Sequence, residues 1–333
     1  MNEFCVQLPK VELHAHINGS LSPDTMRVLV ERKKDSNPSL ADFRIPDSLE
    51  RIDDFFPLFR FIYQLTDDEP SVVIATRNVI SDFERDGVRY LELRTTPREN
   101  PATGMTKKSY LAAVLSAINE VRKSIVVRLI VSIDRRDTLE KAQEAVDLAL
   151  HFRSQGVVGI DLCGHVMEGS FVALRPAFDR AKQHGFPLTL HFGEVKENMA
   201  ESLELLSIQP NRLGHATFLT PERRENIYAG NIPVEICMTS NILCKTTSTY
   251  EEHHIKDLLV EKHPFIICTD DKGVFFSQLS DEYTIAAKTF GLSKNELYEA
   301  SYRTIDAIFE DETIKQNLKK IWSEWYKDNL ATQ

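Results

Sequence analysis

Short apolar runs recur along the chain with amphipathic stretches between them. The runs at 11–16 (VELHAH), 88–94 (VRYLELR), 126–134 (VVRLIVSID), 157–164 (VVGIDLCG), 188–194 (LTLHFGE), 212–217 (RLGHAT), 232–240 (IPVEICMTS) and 265–271 (FIICTDD) are rich in aliphatic and β-branched residues. Several are nearly continuous in apolar character, the pattern of parallel strands covered on both faces. The stretches between them repeat apolar positions at helical spacing. Those at 106–125 and 137–156 are the clearest, the second with Asp137 placed to cap its start and Gly156 just past its end. Eight such alternations predict an α/β fold of the (β/α)8 TIM-barrel kind. The segment from about Leu21 to Pro70 breaks the rhythm and is too long for an ordinary loop. Its aromatic run DFFPLFRFIYQL (54–65) predicts a helical insertion after the first strand, folded over the barrel mouth as a lid or pocket wall. Helical sequence continues beyond the eighth strand, predicting extra C-terminal helices.

No linker rich in Pro, Gly or Ser, no internal repeat and no low-complexity tract interrupts the 333 residues, so one domain over 1–333 is expected. A doubly wound open sheet is the competing architecture, but the first strand lacks a following glycine-rich loop. With 42% apolar residues the chain can fill a large core. Its 40 basic against 50 acidic residues give a net charge of −10, which disfavours nucleic acid as a partner and points to a small molecule. A phosphate group remains compatible, because a few local cations and backbone amides hold one inside an acidic protein. The five cysteines have no CxxC spacing and an odd count, and are expected to be reduced. The N-terminal residues carry no basic-then-apolar signal, and no run approaches the ~18 apolar residues of a membrane helix. A cytosolic monomer without membrane contact is the expectation.

Catalytic groups of such barrels lie at the C-terminal ends of the strands. There the first strand places His14 and His16, the fifth His191 and Glu194, the sixth His215 and the eighth Asp270 and Asp271. The second leads into Thr95, Thr96 and Arg98, the third ends at Asp134, and the fourth at Asp161 and Gly164. Residues i and i+2 of a strand share a face, so His14 and His16 both point to the barrel axis and can share an ion. Neutral imidazole suits Zn2+, and His191 and Asp270 would complete three or four ligands with a position left for water. A lone strand histidine is more often a hydrogen-bonded core residue, and it is the set of three histidines and an aspartate that points to a metal. His151, His165, His184, His253, His254 and His263 fall mostly in helices and loops and read as solvated or structural. Glu194 would suit the start of a following helix, but beside a metal a carboxyl with a raised pKa can protonate a ring nitrogen. His215 would orient water or stabilise developing charge, unless it is a buried hydrogen-bonding residue. Asp271 faces away from Asp270 if the strand continues, and toward the site if the chain turns ahead of Lys272-Gly273.

The segments LPKVELHAHINGS, YLELRTTPRENPATGMTKKSY, IDRR, VVGIDLCG, LHFGE, RLGHATF, CMTSN and ICTDDKGVF together resemble the adenosine deaminase family, zinc-dependent (β/α)8 hydrolases, over nearly the whole chain. LRTTPREN, TGMTKK and TDDKGVF favour its adenosine deaminase-like branch. The resemblance implies one Zn2+ held by His14, His16, His191 and Asp270, with Glu194 as proton donor and Asp270 and His215 handling the attacking water. It also implies that Asp271 binds the purine edge and the Gly164 backbone another ring nitrogen, while His16, Asn18, Thr95, Thr96, Pro97, Arg98 and Asp134 line the substrate pocket. Zn2+ lowers the pKa of bound water from about 15.7 toward ~7, enough for attack on purine C6. The implied reaction converts N6-methyl-AMP to IMP and methylamine, with other N6-substituted purine nucleoside monophosphates as further candidate substrates. Deamination of free adenosine or N6-methyladenosine is the alternative.

Asn18 bears on that choice, because the family's adenosine-specific members carry Asp there, which would repel a 5′-phosphate. Neutral Asn18 removes the repulsion, and Arg98 or Lys272 would offset the phosphate charge; otherwise Asn18 merely caps the turn before Gly19. Ala216 stands where the family commonly has Gly, Tyr63 where the branch often has His, and an acidic residue is missing after Gly164. These departures concern pocket shape. A binding protein that keeps the barrel without its chemistry is disfavoured, since neither a ligand nor the acid is missing.

Overall fold

A computed structural model describes residues 1–44, 55–120 and 124–331. Eight parallel strands follow one another around a barrel in sequence order: β1 (Lys10–His16), β2 (Val88–Thr95), β3 (Val126–Asp134), β4 (Val157–Cys163), β5 (Leu188–Phe192), β6 (Arg212–His215), β7 (Val234–Ile236) and β8 (Phe265–Ile267). Helices flank the strands, as expected of a (β/α)8 barrel. The alternation of the strand sequence explains which face goes where. On β1, Val11, Leu13 and Ala15 share one face and Glu12, His14 and His16 the other, and all but His16 are buried.

The last strands are shorter than their apolar runs. The run 188–194 leaves its ladder after Phe192, 212–217 after His215 and 265–271 after Ile267, while 232–240 turns after Ile236 into the helix Met238–Leu243. Left-handed backbone ends two of these runs, with φ of +62° at His215, +47° at Ala216 and +62° at Asp270. Buried loop residues remain apolar without being strand, so hydrophobicity overstates strand length here.

No regular ladder joins β8 to β1. Closure comes from one parallel bridge between Ala15 and Asp270, in which the Asp270 amide donates to His14 O (2.8 Å) and the His16 amide to Asp270 O (3.0 Å). Glu12 reinforces this seam by accepting from the His14 amide at 2.7 Å and from the Thr269 amide and hydroxyl at 3.0 and 2.8 Å. Its carboxylate replaces a missing stretch of backbone pairing.

The helix predicted over 137–156 spans Leu139–Phe152, and its cap is Thr138, whose side chain accepts from the Lys141 amide, rather than Asp137. A short 3-10 turn follows and Gly156, at φ +112°, ends it. The helix predicted over 106–125 spans Lys107–Asn119; 121–123 lie outside the described residues. The insertion after β1 contains the helices Pro23–Lys33 and Phe55–Leu65 with a 3-10 turn at Pro38–Asp42, and Glu69–Arg85 then leads into β2. The part of the predicted insertion at 45–54 lies outside the described residues. Phe43 stacks on Phe61 with ring centroids 4.0 Å apart, and Lys33 pairs with Asp67 and Asp68, so the insertion is fastened both to itself and to the start of the next helix. The C-terminal helix Glu312–Asn329 buries Trp322, whose indole N–H donates to Ser301 at 3.0 Å. Among the described residues no helix is long and apolar enough to cross a membrane.

Candidate active site

Four side chains from three strand ends meet at the mouth of the barrel. One donor atom each from His14, His16, His191 and Asp270 lies within 4.8 Å of all the others. Asp270 Oδ1 is 3.4 Å from both His14 Nε2 and His16 Nε2, and His16 Nε2 is 3.2 Å from His191 Nε2. His14 Nε2 is buried without a hydrogen-bond partner. A deeply buried imidazole lone pair facing two others and a carboxylate is what a metal ion satisfies, and three nitrogens with one oxygen suit zinc. The donor set therefore fits the ion that the sequence implied.

Three of these four side chains, His14, His191 and Asp270, are held from behind. Glu235 Oε2 accepts from His14 Nδ1 at 2.7 Å and from Arg94 at 2.9 Å, while its Oε1 accepts from Arg212 at 2.7 Å and Thr189 at 2.9 Å. Asp161 accepts from His191 Nδ1 at 3.1 Å, Arg94 at 3.2 Å and Ser132 at 2.8 Å. A carboxylate can only accept, so the Nδ1 atoms of both histidines carry the proton and their Nε2 lone pairs face the cluster. Ser240 donates to Asp270 Oδ2 at 2.7 Å. Burial opposes a charged His14, but Asp270 and Glu235 outweigh it and raise its pKa to about 9, so a metal ion bound at Nε2 would displace a proton there; at His16 burial prevails over Asp270 and lowers the pKa to about 3. Burial likewise opposes charge on Asp270, and the surrounding imidazoles, His14 foremost, still hold its carboxyl well below the usual range.

Beside the cluster, His215 Nε2 lies 3.9 Å from both Glu194 Oε2 and Asp270 Oδ2. Burial raises the pKa of Glu194, and the Asp270 charge adds to it while His191 opposes. Burial pushes His215 well below the usual imidazole range. The left-handed turn at Asp270 brings Asp271 into a buried position against Gly19, where a Cβ would stand 1.6 Å from Asp271 Oδ1. That oxygen has no partner, and burial together with Asp270 raises its carboxyl well above the usual range.

The other predicted pocket residues form two groups at the rim. In the first, Asn18 Oδ1 accepts from Thr66 at 3.1 Å and Arg98 at 3.4 Å, Arg98 also donates to Thr66 Oγ1 at 2.7 Å, and Tyr110 links Asn18 (3.4 Å) to Thr95 (2.6 Å). Pro97 is buried beside Arg98, whose guanidinium lies over the Tyr63 ring at 4.6 Å. In the second, Thr96 meets Cys163 at 3.4 Å, and a Cβ on Gly164 would stand 2.5 Å from Asp134 Oδ1. Asp134 is engaged by Arg136 at 2.6 and 2.8 Å, which holds its carboxyl below the usual range against the effect of burial. Lys272 does not join the rim: its ammonium donates to Gln278 at 2.8 Å and lies 4.3 Å from the Phe83 ring, because Asp270 and Asp271 have already turned the chain.

Comparison with known proteins places this geometry. The adenosine deaminase family model matches residues 9–325. The chain belongs to the adenosine deaminase family. It is 43% identical to a zebrafish (Danio rerio) N6-Methyl-AMP deaminase, over 96% of each chain, and 41% identical to an Arabidopsis thaliana N6-mAMP deaminase, over 96% of this chain and 98% of that one. The crystal structure of Arabidopsis ADAL complexed with IMP superposes with a TM-score of 0.91 at 39% identity, covering 98% of this chain and all of that one.

Beneath the cluster lies a group of charges that the strand pattern did not reveal. Glu92, Arg94, Arg212 and Glu235 are fully buried in the barrel interior, and Arg212 joins Glu92 (2.6 Å) to Glu235 (2.7 Å). A signal was available, since Glu92 and Arg94 stand two apart around the apolar Leu91 and Leu93, the same alternation that marks Glu12, His14 and His16. His253 and His254, read as solvated or structural, are packed and hydrogen-bonded: His253 to Asn241 at 2.9 Å and His254 to the carbonyl of His215 at 2.7 Å.

Proposed function

We propose that this chain hydrolyses N6-methyl-AMP to IMP and methylamine, using one Zn2+ held by His14, His16, His191 and Asp270. The observation that carries the reading is the convergence of those four donors beside Glu194, a buried carboxyl with a raised pKa. The relatives named above support the substrate, and the IMP held by the Arabidopsis structure is the product this reaction would release.

Zn2+ at this position supplies the Lewis acidity that makes water nucleophilic near neutral pH. The chain's own groups then manage three protons. Glu194, whose proton burial holds more tightly, gives it to purine N1 as oxygen adds to C6. Asp270 and His215, 3.9 Å apart, take the proton that water loses on attack and deliver it to the departing amine. When the tetrahedral carbon collapses, the proton of its new hydroxyl restores Glu194, leaving a C6 carbonyl and an N1–H. Asp271, kept neutral by its buried setting beside Asp270, serves as a donor to a purine ring nitrogen, and the peptide of Gly164 meets another.

The 5′-phosphate is assigned to the rim where Asn18, Thr66 and Arg98 meet. Asn18 brings no negative charge, Arg98 supplies a cation, and the Arg98 Nε is buried without a protein partner. His16, Thr95, Thr96, Pro97 and Asp134 complete the pocket in this reading.

Purified zinc-loaded protein assayed in parallel on N6-methyl-AMP, N6-methyladenosine, AMP and adenosine tests it. The expected result is a kcat/KM for N6-methyl-AMP at least ~100-fold above that for either nucleoside, as for a pocket whose polar groups lose their partner when the phosphate is missing. A preference for a nucleoside overturns the substrate assignment, and inactivity on all four overturns the reaction.

A further inference from the structure

His215 and Ala216 both stand in left-handed backbone, with φ of +62° and +47°. Neither is a glycine, so the surroundings must hold this segment. Part of the hold is backbone: the Ala216 amide donates to Phe192 O at 2.9 Å and the Phe218 amide to Gly193 O at 2.8 Å. The rest comes from two histidines at the start of the helix Ile255–Glu261. His254 Nε2 lies 2.7 Å from His215 O, and because a carbonyl only accepts, that nitrogen carries the proton. His253 Nδ1 accepts the Ile255 amide at 3.2 Å, so its Nε2–H donates to Asn241 Oδ1 at 2.9 Å. Asn241 in turn donates to Thr217 Oγ1 at 3.0 Å. The two imidazoles stack with centroids 4.4 Å apart, and burial lowers their pKa values to about 2 and about 4, so both are neutral near pH 7. The segment 215–217 is thus gripped at its first residue by His254 and at its last by His253 through Asn241.

We propose that His254, seated on His253, is a positioning residue: its hydrogen bond to the His215 carbonyl fixes the left-handed turn that aims the His215 imidazole at Glu194 and Asp270. The catalytic consequence rests on the function proposed above, whereas the backbone consequence does not. Without the bond, the segment relaxes toward ordinary extended backbone and the imidazole leaves the 3.9 Å positions it holds against both carboxylates. No metal ligand moves, because His254 touches none of the four. His254 also lines a surface cavity of about 320 Å3, so a substitution there does not open the barrel interior.

The test compares His254→Leu, which removes the donor at similar volume, with His254→Gln, which retains an N–H donor. Hydrogen exchange of the peptide covering 213–219 is read in both and in the wild type, together with bound zinc and kcat and KM on N6-methyl-AMP. The expected result for His254→Leu is exchange at least ~10-fold faster in 213–219, kcat at least ~10-fold lower, and KM and zinc content within about twofold of wild type. For His254→Gln, exchange and kcat stay within about threefold of wild type. Unchanged exchange in His254→Leu, or a His254→Gln protein as impaired as His254→Leu, overturns the proposal, as does a zinc content that falls in step with kcat. If His254→Leu does not fold, His254→Gln decides: near-normal exchange supports the proposal, and a folded variant with exchange at least ~10-fold faster overturns it. A wild type inactive on N6-methyl-AMP would refute the proposed function but leave the exchange comparison to judge the turn.

Discussion

Glu194 is three residues past His191, one of the proposed zinc ligands, and its chemistry depends on what that position does to a carboxyl. Removal from water penalises its charged form, the Asp270 carboxylate adds to the penalty, and the pKa rises. An acid acts only while protonated. Turnover is therefore present below the raised pKa and lost as pH climbs through it, giving kcat an alkaline limb above the ordinary carboxylate range. Glu194→Gln keeps shape and cannot give up a proton, so kcat is expected to fall at least ~100-fold while the bound metal stays at the wild-type level. Stopped-flow or steady-state kinetics with metal analysis on the same samples would check this; near-normal turnover would take the acid role from Glu194. The residue was legible in the sequence because HxxE at the end of a strand is a local pattern. Asp271 was less so: whether it faces the site depends on the left-handed backbone of Asp270, a conformation that composition does not announce.

At the scale of strands, β1, β2, β6 and β7 each send a charged or metal-binding side chain into the same interior, and Glu235 on β7 joins them. It is bonded at once to His14, Arg94, Arg212 and Thr189, with no exposure to solvent. Barrel interiors are more often filled by branched apolar residues. Here a satisfied ionic network does that work and also sets the tautomer of His14. Glu235→Gln keeps the volume but leaves two buried guanidinium groups short of negative charge. It is expected to cost about 3–5 kcal/mol of folding stability, as for other broken buried pairs, and to weaken metal binding by ~10–100-fold, as for lost partners of metal-binding histidines. Urea unfolding and competition with a chelator measure the two effects separately, and a variant matching wild type in both would remove Glu235 from its place at the hub. The number and order of strands were legible from apolar runs. The network was not, because a charge in a strand reads as a solvent-facing position until the strand is known to line a closed interior.

Over the whole molecule, barrel closure and the metal site are one problem. β1 to β8 form neighbouring ladders, but no regular ladder joins β8 back to β1: the bridge at Ala15 and Asp270 and the Glu12 contacts with Thr269 are prominent among what connects them. The four proposed zinc ligands come from β1, β5 and the end of the β8 run, so an ion bound by them would span this seam. A ligand that binds only the folded state stabilises it by about 4.1 kcal/mol when present at ~1,000 times its Kd. Removing the metal with a chelator is therefore expected to abolish turnover and lower Tm. It should also speed hydrogen exchange selectively at 10–16 and 265–270, leaving the ladder of β2, β3 and β4 protected as before. Adding back zinc should reverse all three. Exchange that rises evenly around the barrel would mean that the ion stabilises the fold without clasping its ends. Unchanged exchange at 10–16 and 265–270 would mean that Glu12 and the single bridge suffice to close it.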